Sequence, residues 1–183
     1  MSDLHDRERA LTALLDEVAC QRVISRYSAA VDWADRDALA QIFWPDAKFD
    51  LGGFFVGAGE AGLDFLIASV NASLCRTHAL GSTWLTLGKD DARAQTPAVN
   101  VWISRNPDGS ITRYLLTARY LWELHKHKGD WRVSTLQIII NTAQCTPYDL
   151  SAQPPAFQLV EGLRVGHPLF PGGAAMGDEG ALS

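Results

Sequence analysis

The pattern of apolar and polar positions predicts three helices in the first part of the chain. Between residues 7 and 31, apolar side chains return at steps of three and four, as on one face of an amphipathic helix. Asp35 can cap a second, shorter helix that Pro45 should close, and a third helix should begin near Gly59. The apolar positions are Leu11, Leu14, Leu15, Val18, Val23 or Ile24, Tyr27 and Val31 in the first helix, and Leu63, Leu66, Ile67, Val70 and Leu74 in the third.

After residue 76 the pattern changes to long extended segments. The predicted strands cover residues 76–87, 94–105, 110–127 and 131–142, and a short pair at 48–51 and 54–56 precedes the third helix. Gly52-Gly53 permits the tight turn of the short pair, and Asn106-Pro107-Asp108-Gly109 has the residues of a hairpin turn. We expect the long strands to be antiparallel neighbours.

The longest predicted strand separates two kinds of side chain. Alternate residues point to opposite faces of a strand, and here one face carries Tyr114, Leu116, Ala118, Tyr120, Trp122 and Leu124. The other face is largely polar. Three helices followed by a sheet with one apolar face predict an α+β domain in which the helices pack on the concave face of a curved antiparallel sheet. A pocket between the two layers is the expected ligand site.

Composition adds bounds on size and partners. With 183 residues, 47% hydrophobic residues and a net charge of -5, the chain predicts one globular domain, over residues 1–145. Residues 146–183 are rich in proline and glycine and form a tail, which we interpret as a lid or an inter-subunit arm. No basic surface for nucleic acid is evident, and no apolar run is long enough for a membrane. The spacing of Cys20, Cys75 and Cys145 predicts reduced thiols and a cytoplasmic protein.

The candidate chemistry lies in the stretch 76–84. Strand alternation would place His78 on one face with Leu80, Ser82 and Trp84, so that a basic group stands at an apolar wall. We expect Asp32 to fold back and orient His78 as a general base. His125 and His127 could ligate a metal from one strand face, but no third ligand is spaced nearby, and no metal or other cofactor is expected.

Four short motifs resemble the SnoaL-like branch of the NTF2-like superfamily, over residues 14–141. They are residues 26–35, residues 43–47, Thr77-His78 and residues 129–133. The resemblance places the catalytic Asp and His of a dehydratase and of a dehydrochlorinase of this branch on Asp32 and His78. It implies a cone-shaped fold, elimination or isomerisation without a cofactor, and a homo-oligomer, either a dimer or a trimer.

The accessory residues of those enzymes are not matched. The chain has Val31, Leu51, Ile103, Ala118 and Tyr120 where the dehydratase holds its substrate with polar groups, and residues 133–141 lack the arginine of the dehydrochlorinase. The substrate is therefore expected to be a different hydrophobic, cyclic and oxygenated small molecule. The expected pocket residues are Tyr27, Leu51, Trp84, Ile103, Ala118, Tyr120, Trp122 and Asn141, among which Tyr120, Tyr27 and more weakly Asn141 could donate to an enolate.

Plainer interpretations stay open for each group. His78 could be a structural histidine, Asp32 a helix-terminal cap, and Tyr27 a core residue. The whole domain could be a binding or assembly module without catalysis, such as a partner subunit resembling the small subunit of a ring-hydroxylating dioxygenase. Association into homo-oligomers is also predicted by Leu115, Leu121 and Ile139, which lie among polar groups on the outer sheet face.

Overall fold

The computed structural model describes residues 2–152, with side chains from residue 4. Three helices, α1 (Ser2–Asp32), α2 (Arg36–Ile42) and α3 (Glu60–Asn71), accompany seven strands. The strands are β1 (Phe43–Asp50), β2 (Val56–Ala58), β3 (Cys75–Leu80), β4 (Trp84–Leu87), β5 (Asp91–Arg105), β6 (Ile111–His127) and β7 (Asp130–Pro147), and a 3₁₀ turn follows at Leu150–Ala152. The proposed lid or arm falls mostly outside the described residues. Among the described helices, none has both the length and the apolar character that crossing a bilayer requires.

The helix boundaries follow from local chemistry, but the long helix differs from its prediction. Asp35 caps α2 as expected, since its carboxylate accepts a hydrogen bond of 2.9 Å from the amide of Ala38. In α1 the leucines of the first half are exposed, whereas the second half buries the nearly opposite side of the helix. The prediction of one continuous apolar face along α1 was therefore wrong. The exposed leucines are Leu4, Leu11, Leu14 and Leu15, and the buried residues are Cys20, Ile24, Tyr27, Ala30 and Val31.

The α+β class and the curved sheet are confirmed, and the sheet is mixed rather than antiparallel throughout. Its order is β2-β1-β7-β6-β5-β3, with β4 also paired to β5, and it does not close. All neighbours are antiparallel except β1 and β7, which run parallel. Parallel neighbours need a long connection, and here everything from β2 to β6 lies between them. The pattern of each strand alone could not reveal this pairing.

The predicted strand at 76–87 is divided by a register shift. His78 lies opposite Asn100 and Leu80 opposite Ala98, but Trp84 lies opposite Gln95. Four steps along the first strand thus match three steps along β5, as in a β-bulge. One extra residue reverses the direction of every following side chain. Even-numbered side chains such as His78 therefore point inward from β3, whereas even-numbered side chains such as Trp84 point outward from β4.

The core lies between the helices and the concave face of the sheet. Leu116, Ala118, Tyr120, Trp122 and Leu124 of β6 are all buried, as their alternation predicted. The Tyr27 ring of α1 stands edge-on to Trp122 at 5.2 Å and to Tyr120 at 6.0 Å between centroids. These contacts dock the second half of α1 on the sheet and bring its end, Asp32, over β3.

Candidate functional site

Asp32 and His78 meet at the junction of α1 and β3. The carboxylate Oδ1 lies 2.5 Å from the imidazole Nδ1, and Oδ2 accepts a hydrogen bond of 2.9 Å from the backbone amide of His78. Their side chains are only 12% and 8% exposed, respectively. Two contacts from one carboxylate fix both the position and the ring orientation of the histidine. The second ring nitrogen, Nε2, is the one left to meet a ligand.

His78 borders a cavity of about 280 Å³ between the helices and the sheet. This volume is near the lower end of the range for small-molecule sites. Most of the wall is apolar or aromatic, and a few polar groups converge on it. The lining residues are Tyr27, Leu51, Phe54, Phe65, Leu66, Ser69, Ala72, Arg76, His78, Asn100, Trp102, Ser104, Leu116, Tyr120 and Ile138.

Asn100 and Tyr120 form a buried polar pair in the cavity wall. The amide nitrogen Nδ2 of Asn100 donates to the Tyr120 hydroxyl at 2.8 Å, so the hydroxyl proton stays available to a ligand. Asn100 is 5% exposed, and its Oδ1 has no hydrogen-bond partner within the described structure. Burial raises the pKa of Tyr120 to about 12, so the phenol remains a donor at neutral pH. The same cause raises the pKa of Tyr27 well above its ordinary value.

Arg76 supplies a cation to the same wall. Its Nη1 donates to the Ser69 hydroxyl at 2.9 Å, and its Nη2 donates to the Ser69 carbonyl at 2.8 Å and to the Ser73 hydroxyl at 3.0 Å. The guanidinium carbon lies 5.7 Å from the centre of the Trp102 ring, within reach of a cation–π contact. Burial lowers the pKa of Arg76, because desolvation disfavours the charged form.

Comparisons with known proteins identify the family. The family model of the SnoaL-like domain matches residues 12–137. The chain belongs to the SnoaL-like domain family. The fold of this SnoaL-like domain is shared by solved structures of low identity, and a search of curated proteins found no match.

Three of those structures show how far the likeness extends. A type 2 hexachlorocyclohexane dehydrochlorinase, LinA, has 22% identity and a TM-score of 0.68 over 81% of this chain and 99% of its own. A candidate scytalone dehydratase from Novosphingobium aromaticivorans has 16% identity and a TM-score of 0.64 over 81% and 98%. The Kfla4162 protein from Kribbella flavida has 18% identity and a TM-score of 0.65 over 72% and 95%. At these identities the likeness establishes the NTF2-like fold.

The structure brings some of the sequence-predicted pocket residues to the cavity. Tyr27, Leu51 and Tyr120 line it together with His78, while Asp32 reaches it through His78. Ala118 and Trp122 are on the concave face but are fully packed in the core and outside the cavity lining. Trp122 lies in the core behind the cavity wall, where its Nε1 donates a hydrogen bond to the Thr96 hydroxyl at 3.1 Å.

The other three expected pocket residues lie elsewhere, for reasons of register. Trp84 is 71% exposed, because the shift between β3 and β4 turns its side chain outward. Ile103 is buried, but it alternates with the lining residues Trp102 and Ser104 and so occupies the other face of β5. Asn141 is exposed at a bulge of β7, where Thr117 pairs with Thr142 and Ala118 pairs with Ile140, leaving Asn141 between them.

Sequence reasoning assigned no role to Arg76, Asn100 or Trp102. In the sheet, His78 lies opposite Asn100 and Arg76 lies opposite Trp102. Arg76 could have been found from its spacing of two from His78, which places both on one strand face. The two β5 residues depend on the strand register, which the separate strand patterns do not specify. His125 and His127 are exposed, and within residues 4–152 no group of three potential metal ligands is formed.

Proposed function

We propose that this SnoaL-like domain is a cofactor-independent lyase of the dehydratase type, or an isomerase, that acts on a hydrophobic, cyclic small molecule. The observation that carries the proposal is the 2.5 Å contact between Asp32 and His78 beside a cavity with an aromatic wall. An imidazole held by a carboxylate at Nδ1 can accept a proton at Nε2, and the carboxylate stabilises the imidazolium that forms.

In the proposed reaction, Nε2 of His78 removes a proton from the carbon next to a substrate carbonyl. The electron pair of the broken C–H bond moves toward the carbonyl oxygen and gives an enolate, which the Tyr120 hydroxyl can stabilise by donating a hydrogen bond. In an elimination of water, the enolate re-forms the carbonyl as the bond to the β-hydroxyl breaks, and the His78 imidazolium gives its proton to the departing hydroxyl, which leaves as water. In an isomerisation, the imidazolium returns the proton to another carbon.

Proton abstraction is the step shared by both reactions and can therefore be tested before the natural substrate is known. Cyclic ketones and β-hydroxy ketones that bind the protein by ligand-observed NMR should be incubated with it in D₂O. Mass spectrometry then measures deuterium at the α-carbon, and ultraviolet absorbance measures the conjugated enone produced by loss of water. We expect His78→Gln to slow the reaction about 10²–10⁴-fold, the usual contribution of a general base.

Asp32→Asn should cause a loss of comparable size, because the amide cannot stabilise the imidazolium by charge. His125→Gln is the matched control, since that histidine is exposed on β6 outside the cavity. A ketone that binds in the cavity but reacts no faster with the wild-type protein than with His78→Gln would contradict the proposal. That outcome would support the ligand-binding or assembly module instead.

The outer face of the sheet supports a proposal of self-association. Of the three apolar residues expected there, Ile139 is exposed and Leu115 and Leu121 are half-buried, and Val99 is a further large apolar residue exposed on this face. We propose a homo-oligomer, either a dimer or a trimer. A light-scattering mass equal to one chain at micromolar concentration would refute it.

The three cysteines are free thiols and support a cytoplasmic location. Titration of the unfolded protein, purified without reductant, should find three thiols per chain. Fewer would contradict this location.

A further inference from the structure

The cavity wall contains a half-buried cation, Arg76, whose hydrogen-bonding capacity is only partly used. A guanidinium has five N–H donors, and Arg76 directs three hydrogen bonds to Ser69 and Ser73, all of them to neutral oxygens. Its Nε is buried and has no partner within the described structure. A buried donor without a partner destabilises the protein, and more so when the group is charged.

No carboxylate neutralises this cation directly. Within residues 4–152, Arg76 forms no ion pair, and Asp32, the acidic residue of the site, is bound to His78. A charge removed from water is normally paired or hydrogen-bonded, because desolvation alone strongly disfavours it. Asp32 attracts the guanidinium only at longer range. The protein keeps an arginine here among Trp102, Ser69 and the apolar wall, which is the arrangement expected if a ligand supplies a directly paired negative charge.

We propose that Arg76 forms an anion subsite and that the ligand of this cavity is a cyclic compound bearing a carboxylate. The planar guanidinium fork matches the two oxygens of a carboxylate. That this ligand is also a substrate rests on the function proposed above, whereas the preference of the cavity for a carboxylate does not.

The position of Arg76 also sets where the carboxylate would stand relative to the base. Arg76 and His78 are two residues apart on the same face of β3, which corresponds to about 7 Å along the strand. One six-membered ring with its carboxylate can bridge this separation. Trp102, opposite Arg76 on β5, offers an aromatic surface beside that ring.

The test compares acids with neutral compounds of the same shape. Benzoate and cyclohexanecarboxylate are titrated against benzamide and cyclohexanecarboxamide at pH 7, by calorimetry or ligand-observed NMR. We expect each acid to bind wild-type protein about 10- to 100-fold more tightly than its amide, the contribution of a charge-assisted hydrogen-bonded pair. Arg76→Gln should reduce this ratio to about one, and Arg76→Lys should keep part of it because the charge remains.

Two controls separate this proposal from folding defects and from catalysis. Arg119→Gln removes an exposed arginine of β6 outside the cavity and should leave the ratio unchanged. His78→Gln should slow proton abstraction as predicted above but keep the preference for acids, so a failure of the proposed catalysis does not alter this result. Equal binding of acid and amide, an unchanged ratio in Arg76→Gln, or no binding of either acid at millimolar concentration would each overturn the anion subsite.

Discussion

The contact between Asp16 and Lys126 should be a principal stabilising link between α1 and the sheet. The Asp16 carboxylate accepts hydrogen bonds from Lys126 Nζ at 2.7 and 3.0 Å and from Trp131 Nε1 at 2.9 Å. The two charged side chains are 15% and 23% exposed, so water screens them less than a surface pair. Asp16 lies one helical turn before Cys20, where α1 becomes buried.

Asp16→Asn keeps an oxygen for Trp131 but removes the charge. A hydrogen bond to a charged group contributes about 1.5–3 kcal/mol, and we expect a decrease of this size in the free energy of unfolding at pH 7. Urea denaturation followed by circular dichroism measures it without relying on the emission of Trp131. Asp46→Asn, which changes an exposed aspartate of β1, is the control and should stay within about 0.5 kcal/mol of wild type.

The pH dependence of this difference has a defined sign. The hydrogen bonds from Lys126 and Trp131 hold the pKa of Asp16 below its ordinary value of 3.8. A carboxylate with a lowered pKa in the folded state stabilises the protein fully above the unfolded pKa, and this contribution is lost as the pH falls through the folded pKa. The gap between wild type and Asp16→Asn should therefore be equal at pH 7 and pH 5 and smaller at pH 3.5. A gap below 0.5 kcal/mol at pH 7, or one that grows on acidification, would refute the reasoning.

Three further predictions concern the cavity and its supports. The pKa of Tyr120 is raised to about 12, so the contribution of its neutral phenol to stability is complete below about pH 10 and is lost as the pH rises toward 12. Wild type and Tyr120→Phe should therefore show equal tyrosinate absorbance near pH 10, and an extra tyrosinate in wild type there would contradict this. Gly62→Ala would place a Cβ 2.1 Å from the Phe49 ring and should cost about 1–3 kcal/mol in urea denaturation, whereas a stabilised variant would show that the ring moves freely. Trp84→Ala should leave benzoate affinity unchanged and Trp102→Ala should weaken it; the opposite order would refute the observed strand register.

The elements that depend on local sequence were predictable. The cap at Asp35, the positive φ angles of Gly52 and Gly53, and the alternation along β6 each follow from a few neighbouring residues. The family resemblance supported the expected juxtaposition of Asp32 and His78, since residues 46 positions apart carry no local signal of contact. Their geometry agrees with that expectation, and their catalytic role stays a proposal.

The errors at Trp84 and Asn141 have a common physical origin in strand register. Strand alternation specifies which side chains share a face only while the pairing stays continuous. One extra residue between Leu80 and Trp84 turned a predicted wall residue into a surface residue, and a bulge did the same to Asn141. The parallel pairing of β1 with β7 was missed for a related reason, because partner choice is decided by the whole sheet.

That parallel pair has a consequence for how the chain folds. Phe49 of β1 lies beside Leu136 of β7, so this strand pair joins segments that are far apart in the chain. Contacts at such sequence distance carry a large loop-closure entropy and slow folding. On the ribosome, Tyr27 and Phe49 are made long before Tyr120 and β7 can cover them. The aromatic side chains of the newly made N-terminal segment should therefore stay exposed until the later strands are synthesised, and β7 should be the strand whose docking completes the domain.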